Sequence, residues 1–502
     1  MNQLYGAIDL GSNSIKMKIV QYVDSSFKCL ENITKEVDIG EAVFTKGYLK
    51  HDKVEEIISV LEYFKQVMET YEVERYRAVA TSAMRFTENS QNIMELILMK
   101  TGFKVEILED TVEKFITYKS IRDNVPGFQE IRQGSLLVEL NTGSCDVSMY
   151  LKNRLVMNEE FFLGTKILKN LMKQIEAMNV NYLPVVGEFI EARTNHIFRM
   201  IKNKKIHHYL VVGGEVKPMK DLLFGGSDEI LRRDFEKVYQ RITTDHREIR
   251  HLVEEKGVDW YELVSTVLLY HTFFKLVKTD VMVPVNVNLR DGIIAGLIEE
   301  DYQLNRYQLF NQDTIFLATS IAKRYKTNLP HVKWIQKNAL IIFGEMKQHY
   351  PFDERDEVIL QLSALLHEIG KFTRMKDYMN TSFSKIKNLS VLGITEEEMK
   401  LVAYVCLMMI SPKDFKKNEN AVMVREDQIN RIFKLGAILS LADALDKSKR
   451  QKITLTRVTL SDGDLKLTAQ AQEDVTLEYW DYEQKRRFFI NTYGIHPRLE
   501  FV

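Results

Sequence analysis

The feature that most constrains this chain is a hairpin that occurs twice. Residues 7–20, AIDLGSNSIKMKIV, can be laid on residues 137–150, LVELNTGSCDVSMY, with a constant offset of 130. In both copies an apolar strand ends in an acidic residue, a short polar turn follows, and a second strand alternates. Asp9 falls on Glu139 and Ser14 on Ser144. A supersecondary unit recurring at long spacing points to two similar lobes. Around the first copy, apolar residues at Val54, Ile57, Ile58, Leu61 and Phe64 predict a helix over 54–70. A strand at 76–80, a helix at 91–100 and a strand at 104–108 complete an α/β unit. The second copy continues through helices near 165–203, a strand at 209–212 ending in Gly213-Gly214, and a helix at 260–276. A strand-like run at 281–287 then precedes Leu289-Arg290-Asp291-Gly292 and a short helix.

From about Gln303 the pattern changes. Residues 313–448 keep helical periodicity, and residues 452–502 alternate as ITLTRVTL, LKLTAQA and VTLEY. Ser461-Asp462-Gly463-Asp464 predicts the turn of a hairpin between the first two. A chain of 502 residues exceeds one compact core, so several domains are expected. The boundaries are 1–125 for the first α/β lobe, 126–302 for the second, 303–450 for a helical domain and 451–502 for a small β-rich segment. A net charge of −1 argues against a wholly basic nucleic-acid binder but leaves room for a local basic groove. The apolar run between Lys400 and Lys413 is too short for a membrane span. Three scattered cysteines form no metal spacing and suit a reducing compartment. With no basic-then-apolar leader, the expected location is the cytoplasm.

Three sets of residues carry chemistry. The turn Gly11-Ser12-Asn13-Ser14 aims backbone amides into one concavity, a nest that can cradle phosphate, with Asp9 placed to hold Mg²⁺. The alternative is an ordinary polar hairpin. Thr81-Ser82 at a strand end, followed by Arg85, forms an oxyanion site or, alternatively, a helix cap beside a solvated arginine. Glu113, early in a helical stretch, and Glu139 and Asp146, flanking the second turn, supply carboxylates. Hydrolysis of a phosphoanhydride needs a base for water and cations to offset phosphate charge, so their use depends on convergence. In the helical region, His331, His367-Glu368 and Asp443 are a partial imidazole–carboxylate metal set, read as a structural remnant.

Taken together these residues resemble the exopolyphosphatase and guanosine pentaphosphate phosphohydrolase (Ppx/GppA) family. AIDLGSNS at 7–14 resembles its first phosphate loop, and ATSAMR at 80–85 with Asn89 its second motif. Leu163-Gly164, Gly213-Gly214 and Leu289-Arg290-Asp291-Gly292 resemble later segments, and the region from about 313 resembles a degenerate HD-type domain. The resemblance implies two actin-like, sugar-kinase-like (ribonuclease H-like) lobes, then an all-α HD-like domain and a small β-rich segment. It implies Mg²⁺-dependent release of terminal phosphate from polyphosphate or guanosine pentaphosphate, and a possible homodimer. By its motifs Glu113 is the catalytic base and Arg85 binds phosphate, with Gly143, Ser144, Gly213 and Gly214 in the phosphate loops. Asp9, Glu139 and Asp146 serve the metal. No membrane and no specific nucleic acid are implied as partners.

The chain departs from the family at several places. Lys114 stands where the family motif has Ala, and Asn141 and Thr142 stand where it has Gly. Glu215 follows Gly213-Gly214 in place of Thr. These changes motivate an alternative, a polyphosphate or guanosine-polyphosphate sensor that binds without turnover.

Overall fold

A computed structural model describes residues 3–23, 26–125, 127–213, 215–302, 307–410, 426–461 and 463–502. Gly214, Asp462 and the expected boundary at 302/303 therefore fall on or beside positions outside the described residues. The chain divides into two compact units, Met1–Tyr307 and Gln308–Val502.

The first unit contains two sheets built to one plan. The first comprises β1 (Gln3–Leu10), β2 (Ser14–Val23), β3 (Ser26–Glu36), β4 (Arg75–Ala80) and β5 (Val105–Ile107), in the order β3-β2-β1-β4-β5. The second comprises β6 (Gly134–Leu140), β7 (Cys145–Leu151), β8 (Arg154–Phe161), β9 (His208–Gly213), β10 (Ile230–Leu231) and β11 (Val281–Val285), in the order β10-β11-β9-β6-β7-β8. In each, three antiparallel strands meet parallel ones at the strand that ends in the repeated acid. The 130-residue repeat is thus a repeat of register: Asp9 pairs with Lys16 in β1–β2, and Glu139 pairs with Asp146 in β6–β7. Sequence alternation misses β3 and β8, both edge strands: β3 is mostly exposed, and the buried row Leu155, Met157 and Phe161 of β8 is interrupted at Glu159.

The helix Trp260–Phe274 is buried on all sides and centres the second lobe's core. The helix Leu289–Asp301, although it follows the second sheet, packs with Ile116 of the helix Asp110–Asn124 against Tyr5, Ala7 and Val79 of the first sheet. These two helices approach closely at Gly292, where a Cβ would stand 2.1 Å from the Ile116 carbonyl oxygen.

The second unit starts with helices Tyr307–Arg324, Leu329–His349, Asp356–Leu366, Tyr378–Lys387, Glu396–Ile410 and Glu426–Ala444, with a 3₁₀ turn at Ile369–Phe372. A three-stranded sheet follows: β12 (Ile453–Ser461), β13 (Asp464–Ala471) and β14 (His496–Phe501). The β12–β13 hairpin forms as expected, with Ser461 opposite Asp464. The run VTLEY does not form a strand. It opens the helix Thr476–Tyr493, whose start is tied by Asp474 accepting from the Thr476 amide and hydroxyl. That local turn, and the Glu, Gln, Lys and Arg residues beyond it, outweigh a short alternation. Among the described residues, no helix is long and apolar enough to cross a membrane.

Gly292→Ala is expected to lower stability by about 2 kcal/mol in denaturant unfolding, because a methyl group there forces apart two helices that contact through backbone. Unchanged stability would show that the helices can separate freely.

Candidate active site

The two repeated turns present amides outward because their carbonyls are spent inward. In the first, the Gly11 amide donates to the Ser14 carbonyl at 3.0 Å, the Ser12 carbonyl accepts from Ile39 and Gly40 at 2.9 and 2.7 Å, and the Asn13 carbonyl accepts from Val37 at 3.2 Å. The second turn repeats this pattern. Asn141 donates to the Ser144 carbonyl at 2.8 Å, and the carbonyls of Asn141 and Thr142 accept from Thr165 and Lys166 at the start of a helix, each at 3.1 Å. Among the described residues the amides of Ser12, Asn13, Thr142 and Gly143 make no backbone hydrogen bond, so both turns offer donors to an anion. The departure at Asn141 changes little here. Asn141 closes the same turn as Gly11, and its side chain hydrogen-bonds to Glu139. Gly213 has φ +76°, and a Cβ on it would lie 2.3 Å from the Leu140 carbonyl, so only glycine lets β9 end beside the second turn.

The Thr81–Ser82 motif adjoins the first turn. Ser82 Oγ lies 3.0 Å from Ser12 Oγ, and the Thr81 amide donates to the Leu10 carbonyl. Asn89 is occupied in bridging both backbone groups of Leu49. Arg85 reaches away from solvent: its Nη1 donates to the Leu108 carbonyl at 2.6 Å and to Glu113 Oε2 at 2.7 Å. Residues 28 positions apart, which no periodicity links, thereby form one ion pair.

The carboxylates converge. Glu113 is raised above its usual pKa by burial, opposed by Arg85, with Asp9 and Asp110 adding to the rise. Glu139 is raised well above its usual value by burial, with Asp146 and Glu113 adding. Asp9 is likewise raised by burial, against Lys16 and Arg290. So Asp9 and Glu139, at the ends of equivalent strands in two lobes, both lie within electrostatic reach of Glu113.

Asp146 has a different setting. The Lys114 ammonium, almost fully buried, pairs with Asp146 Oδ1 at 2.9 Å, with Glu160 Oε2 at 2.9 Å and with Asp110. Burial acts to lower the Lys114 pKa, but the surrounding carboxylates, Asp146 first, overcome it and raise it, so the group stays charged. Burial pushes Asp146 up to about 7 against the pull of Lys114. The three acids therefore differ in their fit to a divalent cation. Asp9 fits: its Oδ1 is buried without a hydrogen-bond partner. Glu139, half-buried beside Asn141, fits as well. Asp146 Oδ1 also lacks a hydrogen-bond partner, but an ammonium, that of Lys114, already stands 2.9 Å from it. Among the described residues, the donor atoms of Asp9, Glu139 and Asp146 do not gather within 4.8 Å.

Lys16, which sequence reasoning did not name, and Glu215, Arg290 and Lys114, which it named without a site role, adjoin the site. Lys16, the register partner of Asp9, lowers both Asp9 and Glu215, so it faces both lobes. Glu215 is pushed up to about 7 by burial, with Glu262 and Asp259 adding. Arg290 donates to the Met17 carbonyl at 3.1 Å and to Asn32 at 2.8 Å, anchoring β2 and β3. The only signal for Lys114 was its presence in a helical segment otherwise matching a motif. In the second unit, His331, His367, Glu368 and Asp443 do come together.

The sequence profile of the Ppx/GppA phosphatase family matches residues 18–300, more than half of the chain. The chain belongs to this family. The profile of Ppx/GppA phosphatase domain III matches residues 316–486. A guanosine-5'-triphosphate,3'-diphosphate pyrophosphatase of Photobacterium profundum is 21% identical over 424 residues, covering 80% of each chain. Among solved structures, the type II variant of the Aquifex aeolicus Ppx/GppA phosphatase is 19% identical, covering 59% of this chain and 99% of that one, with a TM-score of 0.48. An exopolyphosphatase from Cytophaga hutchinsonii is 18% identical, covering 59% and 98%, with a TM-score of 0.49.

Lys114→Met is expected to cost about 3 kcal/mol near neutral pH, since it leaves Asp110, Asp146 and Glu160 facing one another uncompensated. Without Lys114 the Asp146 carboxyl takes up its proton at a higher pH than in the wild type, where it does so at about 7, so the gap between wild type and variant should narrow as pH falls towards about 7 and change little through Asp146 below it. Unfolding curves at pH 8 and pH 5.5 check this; a gap that widens on acidification would refute it.

Proposed function

We propose that the first unit hydrolyses the terminal phosphoanhydride of inorganic polyphosphate or guanosine pentaphosphate, releasing one phosphate per turnover. One observation supports this above the others: two outward-facing amide turns stand at strands whose terminal acids converge on the Arg85–Glu113 pair. The named relatives, a pyrophosphatase and an exopolyphosphatase, agree with this class of substrate.

In this reading the amides and hydroxyls of the turns Gly11–Ser14 and Asn141–Ser144, with Thr81, Ser82 and the backbone at Gly213 and Gly214, hold phosphate oxygens. Arg85 spends Nη1 on Glu113 and Leu108, and its Nη2 stands 3.5 Å from Asp110 Oδ1; in this reading its N–H groups not engaged there meet the terminal phosphate. Glu113, kept in place by Arg85, orients a water and accepts its proton as the water oxygen bonds to phosphorus. The bridging P–O bond breaks, and its electron pair leaves with the shortened chain. Asp9 and Glu139 would hold a divalent cation such as Mg²⁺, which when bound offsets phosphate charge. We assign Asp146 to holding Lys114, a fixed positive charge beside the second turn. The domain limits 1–125, 126–302, 303–450 and 451–502, the HD-like character of the helical part, a homodimer and a cytoplasmic location belong to the same proposal.

Glu113→Gln is expected to lower phosphate release at least ~10²-fold with unchanged thermal unfolding, because it removes the proton acceptor and keeps the shape. Long-chain polyphosphate and guanosine pentaphosphate are the substrates to assay; no release from either by the wild type would sink the reading. Glu215 adds a pH signature. Raised to about 7, it is mostly neutral below that pH and anionic above it. KM for a polyanionic substrate should therefore rise from pH 6 to pH 8 in the wild type and stay flatter in Glu215→Gln.

A further inference from the structure

The second sheet carries a row of three acids. Glu139 stands opposite Asp146 across β6 and β7, and Asp146 stands opposite Glu160 across β7 and β8. Residues directly opposite one another share a face of the sheet, and like charges placed so repel. The equivalent row of the first sheet is Asp9, Lys16 and Thr34, an acid, a cation and a neutral residue. The first lobe therefore has a cation within its row, and the second lobe has none.

Lys114 supplies the missing charge from outside the sheet. Its ammonium stands 2.9 Å from Asp146 Oδ1 and 2.9 Å from Glu160 Oε2, and it also meets Asp110, one turn earlier on the helix Asp110–Asn124. The Lys114 and Asp146 side chains are only 6% and 4% exposed, so salt and water screen little of their attraction. Asp146 Oδ2 accepts from Ser144 Oγ at 3.4 Å, which ties the second turn to the same carboxylate.

The partners of Lys114 decide what it can do. An ammonium has three N–H groups. Lys114 meets three carboxylates with them, so none is left over to hold a phosphate oxygen. It acts as a counter-charge and not as a ligand of the substrate. Among the described residues it forms no ion pair with Glu139, the remaining acid of the row.

We propose that the Lys114 ammonium takes the place of a divalent cation in the second lobe. Asp110, Asp146 and Glu160 serve Lys114, and the cleft takes a single ion, at Asp9 and Glu139. Lys114 is then a positioning residue, which fixes the strands that carry Glu139 and the second turn without touching substrate. A set of carboxylates suits a hard cation such as Mg²⁺ or Mn²⁺. Mg²⁺ sits about 2.1 Å from its oxygen ligands, so without Lys114 the oxygens now 2.9 Å from its nitrogen need move inward by less than about 1 Å to hold an ion. The lysine thus conceals a metal site. The inference rests on the reading of this cleft as the one that binds phosphate and metal.

The test counts ions in the absence of substrate, so its outcome is separate from whether phosphate is released. The full chain is titrated with Mn²⁺, and the free ion is read by electron paramagnetic resonance. Lys114→Ala, which removes the charge and opens room, should bind about one more Mn²⁺ per chain than the wild type, and ions held elsewhere cancel in that difference. Added Mn²⁺ should also raise the Tm of Lys114→Ala more than that of the wild type. If Lys114→Ala does not fold, two variants that keep the lysine answer the question. Asp9→Asn should weaken the binding of the wild-type ion at least ~10-fold, and Asp146→Asn should weaken it far less. No ion gained on removing Lys114, or a loss in Asp146→Asn as large as that in Asp9→Asn, would overturn the proposal.

Discussion

The first unit depends on keeping several carboxylates together away from water. Asp146 is buried and Asp9, Glu113 and Glu139, which come from both lobes, are half-buried, a placement that costs free energy unless positive charge accompanies them. Arg85 meets Glu113, and Lys114 meets Asp146 with Asp110 and Glu160. Both cations stand on or against the helix Asp110–Asn124, which Gly292 allows to pack closely on the helix Leu289–Asp301. Helix packing in the core thus sets where charge stands in the cleft.

The duplicated hairpin shows how one backbone plan supports different chemistry. Both turns close with the same hydrogen bond, from Gly11 in one and Asn141 in the other, so that backbone does not require glycine. The register partner of the strand-end acid differs. Lys16 opposite Asp9 places a cation in the first lobe, whereas Asp146 opposite Glu139 places a second anion in the other. Lys114, reaching in from a helix, offsets that difference.

Much of this was legible along the chain. The repeat identified both lobes, the polar turns identified the amide nests, and the change of period near residue 303 separated the helical part. What escaped did so for physical reasons. The strand β3 is an exposed sheet edge, where burial does not enforce alternation, and the buried row of β8 is interrupted at Glu159. The run VTLEY alternates over too few residues to outweigh the helix it opens. Lys114 was visible as an unexpected residue, but a charged side chain has no periodicity to show that it turns inward.

The sequence by itself determined the two-lobed α/β plan, the helical second unit and the two polar turns, because these rest on local patterns of burial and turn chemistry. Tertiary structure alone decided which charges meet. It joined Arg85 to Glu113, placed Lys114 among three carboxylates, and gathered His331 and Asp443 from two helices with His367 and Glu368 from the residues that follow a third. Those pairings span up to about a hundred residues, and only packing brings such distant side chains within the few ångströms over which charge and hydrogen bonding act.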